Sequence, residues 1–157
     1  MDVRESDRGD YTVTTAVLDR ATCARLLGRG RFGRVGFSHE SGPQVLPVNY
    51  SVRRGDVVFR TESTSPLHAL GDGRVVAFEV DHVDQVREAG WSVMVRGTAH
   101  WIVDADELGE VQELELHPWA AGDHDRWIRV RPDEVTGRMI ERHRMHHDGA
   151  SPYMSPD

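Results

Sequence analysis

The stretch Gln44–Leu70, QVLPVNYSVRRGDVVFRTESTSPLHAL, decides the fold. Val45, Val48 and Tyr50 lead into the turn Arg53-Arg54-Gly55-Asp56, and Val57-Val58-Phe59 returns, so the segment reads as a β-hairpin. Arg60 and Thr61 end the second strand. Ser63, Thr64 and Ser65 follow, and Pro66 and Leu67 open a short helix. A strand end with a guanidinium, several hydroxyls and a helix start predicts a phosphate site. The guanidinium offers a charged fork, the hydroxyls donate, and free N–H groups at the helix start complete the cradle.

Working outward, Asp19 caps a predicted helix running to Leu27, with Gly28 as its stop. Strands are expected over 31–38 and 74–81. Residues 65–70 form a short helix closed by Gly71-Asp72-Gly73. Residues 91–103 carry the clearest period-2 signal. Trp91, Val93, Val95, Ala99, Trp101 and Val103 share one face, with Gly97 among them. Asp104 and Glu107 make a capping box for a helix to about Leu116, and a last strand covers 126–131. About six strands, mostly joined as antiparallel hairpins, predict a mainly β (α+β) domain: a small barrel or sheet with flanking helices.

The 157 residues bound one domain, and 38% hydrophobic residues suffice for its core. Residues 1–16 read as a flexible N-terminal segment, 17–142 as the domain, and 143–157 as a disordered tail. No apolar run approaches a membrane span. The opening MDVRESDRGDY is polar and resembles neither a signal nor a transit peptide, so a cytoplasmic protein is expected. Cys23 stands alone, which excludes an internal disulfide framework. The net charge of −7 argues against nucleic acid as a partner.

All 19 basic residues are arginine. Without lysine, neither a Schiff base with pyridoxal phosphate nor a P-loop can form. Any phosphate must be held by arginine, hydroxyls and backbone N–H groups. Residues 28–35, GRGRFGRV, imitate a dinucleotide fingerprint, but they follow a helix and open a strand, the reverse of the required order. The sequon Asn49-Tyr50-Ser51 sits in a strand. His68, His100, His124, His143, His146 and His147 lack structural-zinc spacing, so no metal is assigned.

Five motifs in order, LPVNY at 46–50, FRT at 59–61, AFEVD at 77–81, GWSVMVRG at 90–97 and RWIRVRPDEVTGR at 126–138, resemble the pyridoxamine 5'-phosphate oxidase-like family of flavin-binding split barrels. The resemblance covers about residues 17–140. It implies a six-stranded antiparallel split β-barrel that forms a homodimer, with FMN in two clefts between the subunits. Pro47, Val48, Asn49 and Tyr50 would run along the flavin ring. Arg60, Thr61 and Ser65, with Phe59, Pro66 and Leu67 around them, would serve the ribityl chain and phosphate. Trp91, Ser92 and Val93 would approach the ring from a neighbouring strand, possibly of the other subunit. Pro66 stands where many relatives carry a basic residue, and proline supplies neither charge nor N–H.

The resemblance implies an FMN-dependent oxidoreductase acting on a small molecule, with no catalytic acid or base assigned. Related branches use the deazaflavin F420, and a flavin- or haem-binding protein without turnover stays open beside it. A barrel that keeps the scaffold without a flavin is the third alternative.

Overall fold

The computed structural model describes residues 3–7, 11–114, 116 and 126–144. Eight strands are formed among them: β1 (Val3–Asp7), β2 (Tyr11–Val17), β3 (Phe32–His39), β4 (Gly42–Arg53), β5 (Asp56–Thr61), β6 (Asp72–Asp84), β7 (Ala89–Trp101) and β8 (Arg126–Arg144). Helix α1 (Arg20–Arg29), a 3₁₀ helix (Pro66–Gly71) and α2 (Ala105–Gln112) interrupt them.

Six strands close a ring of antiparallel pairs in the order β8-β5-β4-β3-β6-β7, with β7 returning to β8. The expected six-stranded split barrel is therefore present, and β1 and β2 extend it. The long β8 joins the two parts. Its first residues pair with β5, Val57 opposite Val130, and its last with β2, Val17 opposite Arg138. Along its other edge β7 pairs with both stretches.

Each hairpin has a local cause. Arg53 faces Asp56 across a two-residue loop in which Arg54 and Gly55 both have positive φ, 52° and 89°. That turn twists with its strands, and glycine takes the second position without strain. Between β6 and β7, Asp84 accepts hydrogen bonds from the N–H groups of Val86 and Arg87 at 3.1 and 3.0 Å.

Alternation sends Val35, Phe37, Val48, Tyr50, Phe59, Phe78, Val93, Val95, Ile128 and Val130 into the barrel. Helix α1 adds Cys23, Leu26 and Leu27 to that core. Its cap is the predicted one, Asp19 accepting from the Thr22 N–H at 2.7 Å. Tyr50 ties helix to barrel. Its hydroxyl donates to the Leu27 carbonyl at 2.7 Å, and its ring meets Phe78 edge-on at 4.6 Å. Burial pushes its phenol up to about 12. On the outer face of β5 and β8, Val58 and Trp127 form a second cluster with Ile102, Val111 and Leu116 beneath α2.

Several expectations are corrected. Residues 11–16, expected to be flexible, form β2, and Val3–Asp7 form β1 beside it. Every β2 position except the last is half-buried, so its sequence carries no alternation to reveal it. The last strand continues past Arg131 to Arg144, so residues 143 and 144 belong to it, while 145–157 lie outside the described residues. Pro132, just past the expected end of the strand, sits opposite Gly97 where the β7–β8 register shifts, and a bulge tolerates its missing N–H. Helix α2 stops at Gln112. Only half of its capping box forms. Asp104 accepts from the N–H groups of Asp106 and Glu107, whereas the Glu107 carboxylate turns to Arg129.

Candidate flavin site

One cavity of about 350 Å³ gathers most of the predicted site. Pro47, Val48 and Asn49 reach it from β4, Arg60 and Thr61 from the end of β5, and Ser65, Pro66 and Leu67 from the start of the 3₁₀ helix. Leu46, Glu62 and Thr64 complete it; Thr64 is one of the hydroxyls expected at the phosphate, whereas Leu46 and Glu62 were given no site role from the sequence. The hairpin explains the gathering. The β4–β5 pairing sets the last residues of β5 beside the middle of β4, and the chain then folds over as the 3₁₀ helix.

Arg60 dominates the electrostatics. It is half-buried, its guanidinium carbon lies 5.3 Å from the centre of the Trp127 ring, and its Nε is buried with no hydrogen-bond partner. Among the described residues no carboxylate pairs with it. A half-buried cation left in this state has unused capacity for an anion. Thr61 is buried, and its hydroxyl donates to the Glu62 carbonyl at 3.4 Å. Asn49 donates from its amide to the Arg31 carbonyl at 3.4 Å.

The helix start does not supply the donors expected of it. Pro66 has no N–H, the Leu67 N–H is taken by the Ser65 hydroxyl oxygen at 3.2 Å, and the His68 N–H by the Ser65 carbonyl at 2.9 Å. The Ser65 hydroxyl, acting as cap acceptor, still has its own proton to donate. An anion here is met by Arg60 and hydroxyls.

Five predicted residues lie elsewhere. Tyr50 and Phe59 are fully buried in the barrel, because strand alternation turns them away from their neighbours Asn49 and Arg60. Val93 is also core. Trp91 and Ser92 sit on β7, directly across the ring from β4, and Trp91 lines a separate surface hollow with His82 and Met139. A single chain does not bring them to the cavity.

A larger groove of about 660 Å³ lies between α2 and the outer face of β5 and β8. Arg129 pairs there with Glu107, while Arg53 and Arg54 both engage Glu110. Burial raises the Asp56 carboxyl above its usual range, against the pull of Arg131 and Arg129. Arg129 and Arg131 alternate with core residues in the sequence, a pattern of a solvated face, yet both line this groove. Glu107, the partner of Arg129 on α2, was expected to reach back to its own helix cap instead.

The closed antiparallel ring of six strands, extended by β1 and β2, is a split β-barrel. The chain belongs to the pyridoxamine 5'-phosphate oxidase family, whose model matches residues 19–139. An uncharacterized protein of Mycobacterium tuberculosis is 38% identical over 128 residues, covering 78% of this chain and 84% of that protein. A crystal structure of a putative pyridoxamine 5'-phosphate oxidase from Corynebacterium glutamicum superposes with a TM-score of 0.69 at 29% identity, over 81% of this chain and 94% of that one. A FAD binding protein from Mycobacterium smegmatis does so with 0.66 at 32% identity, over 82% and 98%.

Proposed function

We propose that this chain binds a flavin nucleotide in the cavity beside Arg60 and works as a flavin-dependent oxidoreductase on a small molecule. The observation that carries the reading is Arg60, a half-buried guanidinium with an unsatisfied Nε at a cleft rich in hydroxyls. Arg60 holds a phosphate of the nucleotide. Ser65 and Thr64 donate to it, and Pro47, Val48 and Asn49 form the wall along the ring. FMN is the cofactor that the family resemblance implies, and a FAD binding protein among the similar structures supports a flavin more broadly. When bound, the flavin supplies the hydride or electron transfer, and the protein supplies position and a dry wall.

The reading includes a homodimer in the cytoplasm. Val45, Val75 and Met94 expose apolar surface on the outside of β4, β6 and β7, and pairing two copies would cover it. Pairing is also the arrangement that can bring Trp91 and Ser92 to the cavity of the other copy, whereas Val93 stays in the core. No helix among the described residues is long and apolar enough to cross a membrane.

The test is the absorbance spectrum of freshly purified protein, followed by mass spectrometry of what it releases. A flavin spectrum and a flavin mass are expected, and the mass separates FMN, FAD and F420. Reduction by NADH or NADPH then separates an enzyme from a protein that only holds the cofactor. A colourless protein that binds no flavin on titration would overturn the reading.

A further inference from the structure

Arg60 is held without being neutralised, and the group that faces it is Trp127. The two residues stand directly opposite each other in the β5–β8 ladder, so their side chains share the outer face of the sheet. The Arg60 guanidinium carbon lies 5.3 Å from the ring centre, within the range of a cation–π contact. Trp127 is itself buried, packed among Val58, Ile102, Val111 and Leu116. Its carbonyl accepts from the Ile102 N–H at 3.0 Å. The indole is therefore a fixed platform, and Arg60 is the side chain that rests on it.

Arg129, two residues further along the same face of β8, shows the alternative. Its partner is a carboxylate, Glu107. A carboxylate positions a guanidinium and cancels its charge, whereas an aromatic face positions it and leaves the charge intact. A guanidinium placed in advance also loses less conformational freedom when an anion arrives. Trp127 is not among the residues lining the cavity, so any effect it has on a ligand there passes through Arg60. That effect is confined to the part of the ligand that Arg60 meets.

We propose that Trp127 is the positioning residue of the phosphate-binding arginine, and that it thereby favours phosphate-bearing flavins over riboflavin. The proposal rests on the flavin reading above and adds to it what holds Arg60 in place. FMN and riboflavin are titrated separately into flavin-free wild type, Trp127→Leu, Trp127→Phe, Arg60→Ala and the Arg60→Ala, Trp127→Leu double variant. Trp127→Leu should weaken FMN binding roughly 3- to 30-fold, the range of one cation–π contact. Riboflavin, which lacks the phosphate, should bind it as it binds the wild type, and Trp127→Phe, which keeps a ring face, should recover most of the FMN affinity. In the Arg60→Ala background, Trp127→Leu should leave FMN affinity unchanged, because the residue through which it acts is gone. A measurement on the unmutated chain keeps the test independent of whether Trp127→Leu folds. The Arg60 Nε–H proton resonance, assigned by its loss in Arg60→Ala, should be shifted upfield by the indole ring in flavin-free protein. A resonance at the position of an unstructured arginine would overturn the inference and leave the flavin reading standing. So would unchanged FMN affinity in Trp127→Leu, a loss that falls equally on FMN and riboflavin, or an equal loss with and without Arg60. Binding of neither flavin to the wild type would overturn both.

Discussion

Two arginine-lined hollows flank the hairpin of β4 and β5, and they differ in what their arginines do. In the larger, under α2, Arg53 and Arg54 share Glu110, and Arg129 is held by Glu107. Those cations are spent on joining a helix to a barrel. Arg129 also has a buried Nε without a partner, but its neighbouring nitrogen is neutralised by Glu107. In the smaller, Arg60 has the same orphaned Nε and, among the described residues, no carboxylate paired with it, although Glu62 also borders the hollow. Size favours the hollow under α2, whereas unsatisfied charge favours the one between β4 and the 3₁₀ helix, where we place the flavin. An ion pair uses up the capacity that a ligand would need.

The contrast breaks most directly at Arg60. Replacing Arg60 with alanine removes a charge-assisted contact of about 1.5–3 kcal/mol, so flavin should bind roughly 10- to 150-fold more weakly. The apoprotein should melt as before, because the side chain fills no core. Calorimetric titration checks the first outcome, and unchanged affinity would transfer the site elsewhere.

Tyr50 sharpens the boundary of the cavity. It follows Asn49 in sequence but faces the barrel, so Tyr50→Phe should cost stability and spare binding. The lost hydrogen bond leaves the Leu27 carbonyl unmet, at roughly 1–3 kcal/mol. The phenol also gives a pH signature. Its folded value near 12 lies above the ordinary 10.0, so the folded state keeps the proton longer than the unfolded chain. Stability from this group is complete below pH 10 and falls as pH rises towards 12. Thermal melts of the phenylalanine variant should lack that alkaline decline.

Pro66→Lys asks whether the phosphate lies beside Ser65. Adding a cation there should tighten flavin binding by about 1–2 kcal/mol, and the gain should shrink with salt because the position is exposed. Weaker or unaltered binding at both salt concentrations would place the phosphate away from the helix start.

The smallest effect belongs to the larger groove. Glu107→Gln breaks a partly exposed ion pair and should cost no more than roughly 1 kcal/mol of stability. Flavin affinity should not move. A variant that lost the cofactor would show that the groove and the cavity act together.

Much of the barrel could be read from residue order alone. Local signals marked the β4–β5 hairpin, the Asp19 cap and the alternation of β7, because each depends on residues close in the chain. The same holds for the run from Pro47 to Leu67, whose hairpin brings both ends of the candidate site to one cavity. Where partners are distant, the signal vanished. Strand β2 alternates nothing and exists by pairing with β8, and β8 runs through a proline that only the facing Gly97 explains. Whether Tyr50 or Asn49 faces the cavity depends on which side of the sheet the core occupies. The unmet charge of Arg60 likewise depends on which carboxylates the closed ring brings near. Residue types and local spacing thus determined which groups were available. Closure of the ring decided which were consumed by the fold and which were left for a ligand, since charge compensation and burial are set by neighbours in space.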